Sequence, residues 1–421
     1  MLNDVSKYCQ TLKYKKNSLF LEEVDCKELI TKFGTPLYCY SIAELRNNFK
    51  RFKNSISQFN SMICYAVKAN FNPEVVSELA RLGSGADVVS IGEIRLALDS
   101  GISPEKIVFS GVGKTDDEIR FAIKNKISQI NVESYEELVD LENIAENEGS
   151  KINISLRVNP DVEALTHEKI STGRLEDKFG ISIENTKKIF SKNLKSDLVK
   201  LNGLAIHIGS QITEISPFTK AFQKIRKLIL EIRETGKKIE ILDLGGGIGI
   251  NYSNNKVLLL DDYTKEIKNF FGDLDLKIIF EPGRSLVGST GILLSRVIRI
   301  KKGSNKNFVI IDAGMNDLIR PSLYDSYHEI IPTNWNAKPL VKYDIVGPIC
   351  ESSDIFGKNR EMNSLEKNDV VAICSVGAYG SCMASTYNCR DLINELIVNG
   401  KKVYETNKVY KNDNERMITD D

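Results

Sequence analysis

The sequence predicts an α/β chain built on a (β/α)8 TIM-like barrel, joined to a second, mainly antiparallel β domain. Three observations lead there. Between Lys68 and Arg284, short apolar runs alternate with helix-like segments eight times, the number of units that closes a parallel barrel. Nearly every run ends on small, polar or charged residues, and barrel active sites collect at the carboxyl ends of the strands. After Arg284 the texture changes to β-rich segments separated by turn sequences. An open doubly wound sheet alternates in the same way. Eight units with chemistry at nearly every strand end favour the closed form.

Taken in order, residues 1–35 are mixed, with Ser18–Val24 a possible edge strand and Cys26–Phe33 a short helix. Pro36–Ser41 reads as another strand, followed by a basic helical stretch ending near Phe59. Met62–Val67 is apolar, short and flanked by turn residues, so it is expected to be a buried strand. It runs into Lys68, after which Asn70, Asn72 and Pro73 open a helix over Pro73–Leu82. The strand ends are Tyr65–Asn70, Ala86–Ser90, Ile107–Gly111, Ile130–Ser134, Leu156–Pro160, Leu204–Ser210, Leu242–Gly247 and Ile278–Arg284. Helix candidates between them include Ile91–Leu98, Asp116–Lys124, Ser134–Asn147, Ser216–Thr235 and Tyr263–Phe271. The β-rich part contains Gly291–Ile300, Phe308–Ala313, Leu340–Val346 and Val370–Cys374, with turns at Lys301–Asn305 and Gly347–Pro348. These readings put the barrel at 36–284 and the second domain at 1–35 plus 285–421. The tail after Gly400 is charged and expected to be poorly ordered at its end.

Composition narrows the function. Lys+Arg and Asp+Glu both number 57, so nothing in the charge points to nucleic acid or an anionic membrane. No apolar run is long enough for a membrane span, and Met1–Lys16 lacks the apolar core of a signal peptide. The 8 cysteines show no CxxC pairing, which fits reduced thiols in a cytoplasmic protein. With 3 histidines, a histidine-rich metal site is not expected.

Four motifs carry chemistry. Burial disfavours an ammonium, so Lys68 at its strand end is expected to have a lowered pKa and to serve as a nucleophile or Schiff-base former. The competing reading is a strand-end lysine whose stem reaches the rim. His207, in Ala205–Gln211, ends the sixth strand, where a flat imidazole could stack on a planar cofactor; alone it would read as a core histidine. Asp243-Leu244-Gly245-Gly246-Gly247-Ile248-Gly249 ends the seventh, where glycine amides can close around an anion or merely form a tight turn. Glu281-Pro282-Gly283-Arg284 ends the eighth: the carboxylate suits a protonated pyridine nitrogen and Arg284 a carboxylate, or the two pair internally. Together they describe a site for pyridoxal phosphate, with Lys68 as its covalent anchor. Beyond the barrel, Cys350 stands beside Glu351 and near Asp354, an odd setting for a structural thiol, and a thiol can donate a proton near neutral pH.

At these residues the chain resembles the fold-type III pyridoxal-phosphate decarboxylases, in their diaminopimelate branch, from about Gly34 to Arg390. Tyr65-Ala66-Val67-Lys68-Ala69-Asn70, His207-Ile208-Gly209-Ser210-Gln211, the glycine loop and Glu281–Arg284 follow the family's order. The branch is carried by Met315–Pro321 with Tyr324, by Cys350-Glu351-Ser352-Ser353-Asp354, and by Ser171-Thr172-Gly173 with Lys178-Phe179-Gly180. The resemblance implies decarboxylation of meso-diaminopimelate to L-lysine and carbon dioxide, the last step of lysine biosynthesis. It implies that His207 stacks on the cofactor ring and that Glu281 keeps the ring nitrogen protonated. Ser210, Gly245–Gly247, Pro282, Gly283, Arg284 and Tyr379 would surround the cofactor. Arg284, Arg320, Tyr324 and Tyr379 would line the substrate site, Glu351 would read the distal ammonium, and Cys350 would be the proton donor. It also implies a homodimer in which Cys350 and Glu351 enter the partner subunit's site.

Other decarboxylases on this fold, acting on ornithine, arginine or carboxynorspermidine, are the nearest rivals, and the arginine pair Arg284 and Arg320 argues for a substrate with a second carboxylate. A racemase would want a tyrosine–lysine pair in place of Cys350. A catalytically silent cofactor-binding homologue would not need Lys68, Cys350 and Glu281 together, and a single-barrel cofactor carrier would lack the second domain. One departure from the family is Cys389-Arg390-Asp391-Leu392, which lacks a proline-containing continuation. Leu165–Glu176, polar and following the fifth strand, is expected to be a lid or a surface loop.

Overall fold

The computed structural model describes residues 4–164, 172–173, 177–253 and 257–406. Eight strands alternate with helices and close into a parallel barrel: β1 Ser61–Ala66, β2 Gly85–Val88, β3 Ile107–Phe109, β4 Gln129–Val132, β5 Ile152–Asn159, β6 Val199–Ala205, β7 Ile241–Asp243 and β8 Lys277–Phe280. Each pairs in parallel with the next, and β8 closes on β1 through Ile278–Phe280 against Ser61–Ile63. The helices start where the sequence supplies caps. Asn72, Ser90, Thr115 and Ser134 each accept a hydrogen bond from a first-turn amide. Pro73 opens the first of them, where its missing N–H costs nothing.

The barrel is apolar between strands and helices but mixed inside. Leu79, Leu141, Phe222 and Ile267 belong to the shell between helices and strands. Cys64, Val108 and Ile279 make a small apolar plug within the barrel. Gln129, Asn131, Ser155 and Asp243 are buried as well. Buried polar groups cost free energy unless they are bonded, and of these Asn131 and Asp243 bond one another at 3.0 Å.

The second domain is a nine-stranded sheet around the long strand Gly291–Lys302, antiparallel except for two parallel pairings. Leu37–Ser41 lies within it, antiparallel to Gly291–Leu294 and parallel to Asn394–Val398. The expected boundary at residue 36 therefore moves: this strand belongs to the second sheet, and the barrel part starts with the helix Ile42–Ser55. All five residues of the strand are buried, and in both folds such a strand reads as an apolar run. The two domains meet at the barrel mouth, where Tyr379 N–H donates to the Ala69 carbonyl at 2.8 Å and Asn70 Nδ2 to the Gly377 carbonyl at 3.0 Å. Among the described residues no helix is long and apolar enough to cross a membrane.

Candidate active site

After β1 the chain makes a single 3-10 turn, Val67–Ala69, and Lys68 leaves it toward a cavity of about 190 Å³. The turn is pinned by the Tyr65 hydroxyl, which donates to the Asn70 carbonyl at 2.8 Å. Lys68 Nζ donates to Asp87 Oδ2 at 2.6 Å. Burial pushes the ammonium's pKa down, but the Asp87 carboxylate, with Tyr379 and Glu281, more than offsets this and holds it above the ordinary lysine value. This corrects the expected lowered pKa: the strand β2 delivers a buried carboxylate to the same point. The amine is poised as an ion pair rather than as a free base.

The floor of the cavity is acidic. Glu281 follows β8, and Asp243 ends β7 beside it. Asp243 accepts from Gly245 N–H at 2.9 Å and from Asn131 Nδ2 at 3.0 Å, and Asn131 also donates to Ser110 Oγ at 3.0 Å. Burial raises the Asp243 pKa to about 6. Burial, and then the like charges of Asp243 and Asp87, hold Glu281 well above the usual carboxylate range. Two adjacent buried carboxylates cannot both ionise cheaply, so the pair retains a proton. Glu281 and Arg284 do not pair internally. Arg284 instead donates to the Tyr252 hydroxyl at 2.8 Å and to Ser210 Oγ at 3.0 Å.

His207, just beyond β6, forms the cavity wall. Gly246 N–H donates to its Nδ1 at 3.2 Å, so that nitrogen is an acceptor and the ring proton sits on Nε2. Burial, with Arg157 and Lys68 nearby, keeps the imidazole pKa well below normal, and the ring stays neutral. The glycine loop lies flush against the end of β8. A side chain at Gly246 would place Cβ 2.3 Å from the Glu281 carbonyl oxygen, and one at Gly247 would stand 2.5 Å from that of Gly209. Pro282 is part of the same seam, its carbonyl accepting from Ala66 N–H at 3.3 Å. A smaller cavity of about 30 Å³ connects Lys68 and Glu281 with Ser210, Gly247, Gly283 and Tyr379.

These residues fit pyridoxal phosphate. An amine, a flat neutral imidazole and a proton-holding carboxylate surround one cavity. Ser210, Gly247, Gly283 and Tyr379 line the smaller cavity, where a phosphate would find donors. The close approach of Gly246 and Gly247 to neighbouring carbonyls leaves that cradle no room for side chains.

The second domain supplies the far end. Arg320 opens the short helix Arg320–Tyr324 and is buried beside Arg284, with its guanidinium 4.8 Å from the centre of the Tyr252 ring. Tyr324 is half-buried and contributes to the field at Arg284. The Tyr379 ring lies 4.8 Å from the Arg284 guanidinium. Cys350 and Glu351 are not brought to this place. Both are exposed and line neither cavity, and Glu351 is held by the Tyr387 hydroxyl at 2.6 Å. Asp354 is structural: it accepts from the Ile349 and Met315 amides, each at 2.7 Å. Leu165–Glu176 lies outside the described residues apart from Thr172 and Gly173, and Thr172 Oγ1 donates to the His207 carbonyl at 2.8 Å. In the departing segment, Arg390 bonds the Asp312 carbonyl at 2.7 Å.

Four residues that hold the site's groups were given no role from the sequence: Asp87, Asp243, Tyr252 and His328, whose Nε2 lies 2.8 Å from Arg320. For two of them a signal was present. Asp87 interrupts the apolar run Ala86–Val89, and Asp243 ends the run before the glycines. For Tyr252 and His328 there was none beyond the scarcity of histidine.

The chain is similar to known proteins over most of its length. The family model for the pyridoxal binding domain of pyridoxal-dependent decarboxylases matches residues 42–288. The chain is 44% identical to the diaminopimelate decarboxylase of Zymomonas mobilis over 92% of its own length and 93% of that protein's. The crystal structure of diaminopimelate decarboxylase from Helicobacter pylori in complex with L-lysine is 44% identical, covers 90% of this chain and 95% of that one, and has a TM-score of 0.87. The corresponding L-lysine complex from M. jannaschii is 39% identical, covers 94% of both chains and has a TM-score of 0.89.

Proposed function

Since this chain belongs to the diaminopimelate decarboxylase family of pyridoxal-dependent decarboxylases, we infer that it converts meso-diaminopimelate to L-lysine and carbon dioxide. Its cofactor is pyridoxal phosphate. The observation that carries the substrate is the buried arginine pair, Arg284 and Arg320, within the same site as Lys68. Burying two like charges side by side is costly, and a second substrate carboxylate is the partner that offsets it.

When bound, pyridoxal phosphate supplies the electron sink that accepts the electron pair left as carbon dioxide departs. Lys68 would be the covalent anchor, and Asp87 is placed to accept from its ammonium whenever the amine is free. His207 offers a neutral, apolar face to the cofactor ring. Glu281, whose proton burial and Asp243 retain, would give that proton to the ring nitrogen and, as the carboxylate, keep it there. Ser210, Gly245–Gly247, Gly283 and Tyr379 would surround the phosphate or the rest of the cofactor, with the Gly245 and Gly246 amides already held by Asp243 and His207. Arg284, Arg320 and Tyr324 would hold the distal carboxylate and so select which carboxylate of the substrate is presented for loss.

Cys350 delivers the proton that replaces carbon dioxide, and Glu351 reads the distal ammonium, each in the site of a second copy of this chain. Their exposure on a surface away from Lys68 supports a homodimer with shared sites. The eight free cysteines suit a reducing compartment, and we assign the enzyme to the cytoplasm.

The test is carbon dioxide and lysine release from meso-diaminopimelate, ornithine and arginine. Lysine from diaminopimelate alone, lost in Lys68→Ala, is expected; turnover of ornithine or arginine instead would overturn the substrate. Mixing inactive Lys68→Ala with inactive Cys350→Ala should restore up to about a quarter of wild-type activity, because mixed dimers regain one intact site. No recovery after subunit exchange would argue that each site is built within one chain.

A further inference from the structure

Arg284 and Arg320 carry like charges and are only 6% and 4% exposed, so something must hold them together. Between them lies Tyr252, whose hydroxyl accepts from Arg284 at 2.8 Å and whose ring centre is 4.8 Å from the Arg320 guanidinium. On its other side Arg320 meets His328 Nε2 at 2.8 Å, while His328 Nδ1 stands 2.9 Å from the Cys374 carbonyl. The His328 ring also packs edge-on against Tyr252, with centres 5.1 Å apart.

The hydrogen-bond chemistry leaves one assignment. A guanidinium only donates, so His328 Nε2 must accept; a carbonyl only accepts, so Nδ1 must carry the proton. His328 is fully buried, and its loop is fixed by Arg360, which donates to the His328 carbonyl at 2.9 Å. A protonated imidazole would present a second donor to Arg320 and add a third positive charge. Burial first, then Arg320, Arg284 and Arg360, oppose that protonation. Among the described residues, Nε of both Arg284 and Arg320 is buried without a hydrogen-bond partner, a donor that a bound carboxylate would satisfy.

We propose that Tyr252 and His328 are positioning residues that hold Arg284 and Arg320 as one clamp for the substrate's second carboxylate, with His328 acting as the neutral Nδ1–H tautomer. The proposal rests on the reading of Arg284 and Arg320 given above. Neither positioning residue needs to touch the reacting carbon. Tyr252 provides the acceptor that lets two cations share a site, and His328 fixes the plane of the Arg320 guanidinium.

The experiment uses the holoenzyme and two competing ligands. L-Lysine retains the carboxylate that the clamp would hold, and 1,5-diaminopentane has both amines but no carboxylate. Tyr252→Phe removes only the hydroxyl. His328→Asn keeps a donor near Nδ1 and loses the acceptor at Nε2, whereas His328→Gln restores an acceptor near Nε2. Loss of one charge-assisted hydrogen bond predicts L-lysine binding weaker by about 10- to 100-fold in Tyr252→Phe and His328→Asn. KM for diaminopimelate should rise in step, kcat should change little, 1,5-diaminopentane binding should be unchanged, and His328→Gln should stay close to wild type. Equal losses for both ligands, or wild-type L-lysine affinity in Tyr252→Phe, would overturn the proposal. Arg320→Gln separates the two levels. If it weakens L-lysine while Tyr252→Phe and His328→Asn do not, only the positioning roles fail. If it leaves L-lysine binding intact, the carboxylate reading fails with them. Should the His328 variants not fold, Tyr252→Phe decides alone.

Discussion

Asp87→Asn isolates the feature that sets the state of Lys68. The carboxylate lies 2.6 Å from Nζ, and the asparagine keeps its shape while removing its charge. A hydrogen bond between charged groups contributes about 1.5–3 kcal/mol. The lysine side chain is 38% exposed toward the cavity, so solvent screening places the effect at the lower end of that range. About 1.5 kcal/mol corresponds to roughly one pKa unit. With the carboxylate gone, burial prevails and the ammonium loses its proton at lower pH. The assay is the rate at which cofactor-free protein captures pyridoxal phosphate covalently between about pH 6 and pH 10, with Lys68→Ala as the blank. The Asp87→Asn profile should move to lower pH by about one unit. An unshifted profile, or one moved upward, would refute the argument that Asp87 governs this amine. The sign for stability follows from the raised pKa. The pair's contribution is fully present below the unfolded lysine value and is lost only as pH rises through the higher folded value.

Two further perturbations test the rest of the site. Asp243 and Glu281 have raised pKa values, so the folded protein binds more protons than the unfolded chain, and their contribution to stability falls as pH rises from about 4 toward 6 and beyond. Urea denaturation of cofactor-free protein should show Glu281→Gln gaining on wild type across that window; a pH-independent difference would mean that the pair does not share a proton. Lys114 is 1% exposed and donates to the carbonyls of Gly111 and Asn131 at 2.6 and 2.7 Å and to Glu137 at 2.6 Å. Lys114→Met leaves the Glu137 carboxylate without its cation and should cost about 3–5 kcal/mol in the same measurement. A loss under about 1 kcal/mol would show that these loops are held by packing instead.

The order of the barrel could be read along the chain because each unit announces itself locally. β1 to β8 are short apolar runs, and Lys68, His207, Gly245–Gly247 and Glu281 stand at or just beyond strand ends, where a barrel gathers its chemistry. The period and the caps are properties of neighbouring residues, so a sequence displays them. The fate of Leu37–Ser41 was different. Its partners lie about 250 and 350 residues away, at Gly291–Leu294 and Asn394–Val398, and a fully buried strand carries no alternation to say which sheet it joins.

The same division runs through the site. That Lys68 stands at the end of a barrel strand was legible, but its protonation depends on Asp87, which reaches it only because β2 lies beside β1. That Arg284 and Arg320 share one place followed from the family resemblance. Tyr252 and His328, which hold them, come from a loop after the glycines and a turn before a short sheet strand, with no shared pattern. Cys350 and Glu351 could be recognised as residue types, whereas their exposure away from Lys68 could only be seen in three dimensions. By itself the sequence determined the barrel's strands, their order and the motifs at their ends, because propensity, periodicity and side-chain chemistry are carried by each short stretch. Tertiary structure alone decided charge states, hydrogen-bond partners and which surface each group occupies, because burial and Coulomb interactions act across space between residues that the chain keeps far apart.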